Sequence, residues 1–117
     1  MADCTLHAKS SARRFGGDPE MYLVLHKWMD EPKRDVGDFR HRAIRHHMLG
    51  VREGVERFGD FIDRGDGRMV GVALVLEQHL MEDCGFLPTV DDWVRNLKPE
   101  PWMASAARKL SRELADA

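Results

Sequence analysis

Apolar residues recur along this chain mostly at helical spacing, with one interruption between Asp60 and Val72. The first helix is predicted over residues 5–15, with Leu6 and Phe15 as apolar anchors and Gly16-Gly17 as its stop. Asp18-Pro19-Glu20 opens a second, because Asp caps free amides and Pro at the first helical position gives up no needed hydrogen bond. Met21, Tyr22, Leu23, Val24, Leu25, Trp28 and Met29 cover almost its whole circumference, leaving Glu20 and Lys27 as a solvent strip. His26 and Asp30 fall inside the apolar region.

After Pro32 the pattern predicts one long central helix over residues 33–58, closed by Gly59. At about 100° per residue, Val36, Ala43, Ile44, Met48, Val51, Val55 and Phe58 form a broad apolar arc, wide enough to pack on two sides. Arg40 and His47 lie in the middle of that arc and His41 at its edge. An arginine placed there implies a buried partner. Gly37, Gly50 and Gly54 weaken a helix, so each is read as a close helix contact.

Phe61-Ile62, the turn Asp63-Arg64-Gly65-Asp66-Gly67 and Met69-Val70 read as a short β-hairpin over about residues 60–71. The tripeptide Arg64-Gly65-Asp66 is read as turn chemistry, not as an adhesion signal. A further interior helix follows from Val72 to Cys84, stopped by Gly85. Thr89 with Asp91 and Asp92 caps a short helix that turns Trp93 and Val94 inward. In the last helix Trp102, Met103, Ala106, Ala107, Leu110 and Leu114 form one stripe, suited to docking on the domain or on a partner. The expected fold is mainly α: a compact helical bundle around the long central helix, with one hairpin. Residues 1–103 are expected to form the domain and residues 104–117 a helical extension.

Composition narrows the function classes. With 117 residues, 43% of them hydrophobic and 32% charged, the chain suits one core. A net charge of −2 gives no general attraction to nucleic acid or anionic lipid, and the arginines of residues 34–57 are balanced by Asp35, Asp38, Glu53 and Glu56. Nucleic acid is therefore not an expected partner. The longest apolar run, residues 69–76, is far short of the roughly 20 residues a membrane span needs. Cys4 and Cys84 form no metal-binding spacing and read as reduced thiols, which with no apolar leader points to a cytoplasmic protein.

The informative chemistry is in the histidines. His26 with Asp30, His41 with Asp38, and His79 with Glu82 and Asp83 each pair an imidazole with a carboxylate one helical turn away, on otherwise apolar stretches. Spacing alone means little, since 20 Asp and Glu among 117 residues would give roughly half of all histidines such a neighbour by chance. Their apolar company matters more, because buried polar groups need partners and a divalent cation is one. Three helices each offering a nitrogen and an oxygen can surround an ion. The expected ligands are His26, His41, His79 and Glu82, with Asp30, Asp38 and Asp83 as further ligands or as acceptors that orient the rings. Mixed imidazole and carboxylate ligation suits zinc, manganese or iron. Alternatively, each histidine is a core residue bonded to its neighbouring carboxylate with no metal. His46 and His47 are expected on different sides of the central helix and His7 at the surface.

Phe15-Gly16-Gly17, the His26 to Asp30 segment, Asp38-Phe39-Arg40-His41-Arg42-Ala43 with His46, Glu77-Gln78-His79 with Glu82-Asp83-Gly85, and Pro88-Thr89 with Asp92-Trp93 together resemble a family of short uncharacterised bacterial and phage proteins. The resemblance covers about residues 3–103. It implies no activity, but places His26, His41, His46 and His79 in a shared pattern, which adds His46 to the candidate ligands. The separated histidines also resemble those of all-helical, metal-dependent phosphohydrolases of the HD type. Leu80 follows His79, so their adjacent His-Asp pair is missing and only the idea of a helical hydrolase carries over.

Two functional readings result. One is divalent metal binding in the bundle, with metal-dependent hydrolysis if catalytic, Glu82 as base and Arg40 or Arg42 steadying negative charge. The other is a non-enzymatic interaction module, phage-related by what the resemblance implies, with a structural polar cluster, meeting a protein partner or forming a homodimer. An open coordination position reachable from solvent separates the two.

Overall fold

The computed structural model describes residues 3–116, with residues 105–107 described by backbone alone. Helix α1 (Cys4–Phe15) is capped by the Asp3 side chain, which accepts from the amide of Leu6 at 3.0 Å. A 3-10 turn (Pro19–Tyr22) leads into α2 (Leu23–Asp30), which buries Leu25, His26, Trp28, Met29 and Asp30. Two more 3-10 turns, Glu31–Arg34 and Phe39–His41, precede the short α3 (Arg42–Arg45) and then α4 (Met48–Phe58). Strands β1 (Phe61–Asp63) and β2 (Met69–Gly71) pair antiparallel with Ile62 opposite Val70. The chain continues into α5 (Val72–Cys84), α6 (Val90–Val94) and α7 (Trp102–Ala115). The fold is mainly α with one hairpin. Among the described residues, no helix is long and apolar enough to cross a membrane.

The long central helix is broken, and the break matters for the site. His46 leaves helical geometry (φ −80°, ψ 62°) and His47 is extended (φ −157°, ψ 171°). His47 becomes the cap of α4, its Nδ1 accepting from the amide of Gly50 at 2.9 Å. Long-range partners take up the backbone groups freed by the break. The amide of Met48 donates to the carbonyl of Pro88 at 2.8 Å, and Trp93 Nε1 donates to the carbonyl of His46 at 2.8 Å. Gly50 is needed here because a Cβ at that position would run into the Arg45 carbonyl. At Gly54 a Cβ would meet Leu76 and Trp28, the close helix contact expected, whereas Gly37 faces open space.

Helix α5 runs through the middle of the core, with Val72, Val75, Leu76 and Leu80 fully buried against Leu25, Met29 and Val51. Each such side chain contributes about 1.5–3 kcal/mol by leaving water. Trp28 stands edge-on to Phe58 at 5.9 Å and lies under the guanidinium of Arg45 at 4.3 Å. The Arg64 side chain folds back on Asp66 and donates to the carbonyl of Phe15 at 2.6 Å, so this tripeptide is a structural turn. Val94 is exposed, not inward-facing, and Trp93 is half-buried. On α7 the stripe of Trp102, Met103, Leu110 and Leu114 is exposed; Ala106 and Ala107 fall outside the described side chains.

Candidate metal centre

Inside the bundle, α1, α2, α5 and the chain before α4 bring five histidines together. His7, His26, His41, His46 and His79 are all at most 1% exposed, and they surround Asp30 and Asp83, whose side chains are 6% and 3% exposed. Two carboxylates this far from water require positive charge or several donors. Lys33 and Arg42 approach them only from the rim, each at 3.8 Å.

Asp30 Oδ1 lies 3.3 Å from His79 Nε2, 3.4 Å from His46 Nε2 and 3.6 Å from His41 Nε2. Asp83 Oδ2 lies 2.9 Å from His46 Nε2 and 3.1 Å from His79 Nε2, and its Oδ1 lies 3.2 Å from His7 Nε2. Ligands held about 2.1 Å from an ion are separated by about 3.0 Å at octahedral edges and about 3.4 Å at tetrahedral ones. Four of the six observed spacings fall in that range, and the other two, 2.9 and 3.6 Å, lie just outside it.

Groups behind the rings set their tautomers. His41 Nδ1 donates to the carbonyl of Asp38 at 2.7 Å, which leaves the Nε2 lone pair facing Asp30. His7 Nδ1 donates to Glu82 Oε1 at 2.7 Å, turning Nε2 toward Asp83. For His79 the control is a relay. Gln78 Nε2 donates to the carbonyl of His7 and to Glu82, which fixes its Oε1 toward the hydroxyl of Ser11. Ser11 Oγ faces two acceptor-only oxygens, Gln78 Oε1 at 2.9 Å and the His7 carbonyl at 3.1 Å, and its single hydrogen belongs to one of them. Its lone pair then accepts from His26 Nε2 at 2.8 Å, and His26 Nδ1 accepts from His79 Nδ1 at 2.9 Å. In the neutral ring His79 Nε2 is then left with a lone pair aimed at both carboxylates.

Protonation tendencies agree with this arrangement. Burial, followed by the charges of His79 and His7, pushes His26 down to about 3, so it stays neutral. Burial alone would raise Asp30 and Asp83, but hydrogen bonds from His46 and the neighbouring histidines hold both well below the usual carboxylate range. Burial would likewise lower His46 and His7, yet Asp30 and Asp83 around the first, and Asp83 and Glu82 around the second, hold them above the ordinary histidine value. The cluster draws in positive charge.

The cluster contains His26, His41, His46, His79, Asp30 and Asp83, together with Glu82 at its edge. Some expected pairings change. His26 does not bond Asp30 but links Ser11 to His79, and Glu82 orients His7. Asp38 sits outside: its half-exposed carboxylate pairs with Arg40, and only its carbonyl serves the site, through His41. Arg40 is 73% exposed and has no buried partner, because the long helix that placed it on an apolar arc does not form there. Arg42 is the arginine next to the centre, donating to the carbonyl of Asp83 at 3.3 Å. His7 is a correction in the other direction, fully buried where the surface was expected. Its acidic partners lie 75 or more residues away, beyond any local spacing rule. The available signal was the face it shares on α1 with Ala8 and Ser11.

A mainly α protein with a buried histidine and carboxylate cluster is the class that fold and site define. Residues 2–103 match the family described as Domain of unknown function (DUF6915), and the chain belongs to that family. No curated protein and no solved structure matches it significantly.

Proposed function

We propose that this protein binds a divalent first-row transition metal between Asp30, Asp83 and the imidazoles around them. The observation that carries this reading is the placement of His41 Nε2 and His79 Nε2, whose rings donate through Nδ1 and in their neutral form aim a lone pair at carboxylate oxygens at 3.6 and 3.3 Å. Acceptor facing acceptor in a buried site is repulsive, and a cation between them reverses the sign. Imidazole and carboxylate donors suit zinc, manganese or iron. Cys4 does not join them: burial and then the charge of Asp30 push its thiol up to about 11, and it donates to Asp30 at 3.6 Å.

As an enzyme it would be a metal-dependent hydrolase. Support for that extension comes from a cavity of about 260 Å³ lined by Arg42, Cys84, Phe86, Pro88, Asp92 and Trp93. Arg42 in its wall touches Asp83, and Trp93 holds the carbonyl of His46, so the cavity adjoins two residues of the centre. Arg42 replaces Arg40 as the group that steadies negative charge. Glu82 remains a candidate base only once released from His7. The second reading, an interaction module, draws on the exposed Trp102, Leu110 and Leu114 of α7, which suit a protein partner or a second copy.

The test is thermal unfolding of chelator-treated protein with zinc, manganese, iron(II) or magnesium added. A transition metal at about 100 to 1,000 times its Kd stabilises by about 3–4 kcal/mol, and magnesium does much less. No stabilisation by any of them contradicts the reading.

A further inference from the structure

The six donors of the centre do not all fall in one set. Ligand atoms of His7, His79, Asp30 and Asp83 lie within 4.8 Å of one another, and those of Asp30, His41 and His46 form a second such set. The donors of one ion at about 2.1 Å all fall within about 4.2 Å of each other, trans pairs being farthest apart. Six donors arranged as two overlapping sets fit two adjacent positions. Asp30 is common to both.

Asp83 spans them as well. Its Oδ1 faces His7 Nε2 at 3.2 Å, while Oδ2 faces His46 Nε2 at 2.9 Å and His79 Nε2 at 3.1 Å. Oδ2 thus faces one imidazole of each set, which places this carboxylate as a bridge. Besides His46 Nδ1, each set holds one buried ring nitrogen with no hydrogen-bond partner, His7 Nε2 in the first and His41 Nε2 in the second. In both rings the opposite nitrogen donates, to Glu82 and to the Asp38 carbonyl, so the neutral ring offers the lone pair of its other nitrogen to its own position. His26 lies near His7 and His79 too, but both its nitrogens are engaged, by Ser11 and by His79.

We propose that the centre takes two divalent transition-metal ions side by side, one on His7 and His79 and the other on His41 and His46, with Asp30 and Asp83 bridging them. This rests on the metal-binding reading above and adds to it the second position and the role of His7. Paired ions in two-metal sites sit about 3.5–4 Å apart, a spacing that would suit clamping the attacking and leaving oxygens of a phosphate centre.

Equilibrium dialysis of the full chain against manganese(II) tests the count. The expected result is two ions per chain, falling to one in His7→Asn, whose fold is checked by circular dichroism. Electron paramagnetic resonance of the saturated wild type needs no variant and should show an exchange-coupled pair. One ion per wild-type chain, or an isolated-ion spectrum at saturation, overturns the second position and leaves the metal-binding reading standing. No bound ion, for manganese or for zinc, overturns both. Two ions retained by folded His7→Asn overturns the assignment of His7.

Discussion

The Nδ1 atoms of His26 and His79 lie 2.9 Å apart, so only one of the two rings can donate between them. Ser11 decides which, because its hydroxyl hydrogen goes to a carbonyl oxygen and its lone pair takes the hydrogen of His26 Nε2. Ser11→Ala removes that acceptor without touching a proposed ligand. Metal affinity is expected to fall about 10- to 100-fold, as for other groups that orient a ligand from behind. Competition with a chromophoric chelator measures it; unchanged affinity would show that the relay does not orient His79.

Much of the fold was legible because it rests on local signals. Gly85 stops α5 through its left-handed backbone and Thr89 caps α6 through its hydroxyl, each a signal within a few residues. The break at His46 and His47 was not legible, since it depends on Pro88 and Trp93 some 40 or more residues away. The same holds for the site. Helical spacing found Asp30, Asp83, His41 and His79, and the local pair His79 and Asp83 does meet at 3.1 Å. It paired His26 and Asp38 wrongly and missed His7, because those contacts are set by how α1, α2 and α5 cross.

Asp38 and Arg40 provide a negative control. Asp38 serves the site through its backbone carbonyl only, and the Arg40 side chain is exposed. Asp38→Ala and Arg40→Ala should therefore keep full metal content, with a small loss of stability in the first from the lost cap on the turn at Phe39–His41. Metal analysis of both variants checks this. Loss of metal in either would return that side chain to the site.

Gly50 and Gly37 separate close packing from mere flexibility. A Cβ at Gly50 meets the carbonyl of Arg45, while one at Gly37 meets nothing. Gly50→Ala should cost about 2 kcal/mol or more in urea unfolding and disturb His46, whereas Gly37→Ala should stay within about 0.5 kcal/mol of wild type. Equal effects would contradict the account of the break.

Acid should narrow the gap between wild type and His26→Gln in chelator-treated protein. Burial holds His26 down to about 3, below the roughly 6.5 of an unfolded chain. Above about pH 6.5 both states are neutral; as pH falls toward 3, the unfolded chain takes up a proton that the folded one refuses, so this contribution to stability is lost. His26→Gln has no such slope. Thermal unfolding of both proteins from about pH 7 to about pH 4 tests the sign, and a gap that widens on acidification would mean that His26 is protonated in the folded state.

The most direct measurement is the metal content of untagged protein purified without chelator, determined by elemental analysis beside a His41→Ala, His79→Ala double variant. The account predicts at least one equivalent of zinc, manganese or iron in the wild type and its loss in the variant. A wild type that stays metal-free even after incubation with all three ions would contradict it, and would leave the histidines and carboxylates as a structural cluster.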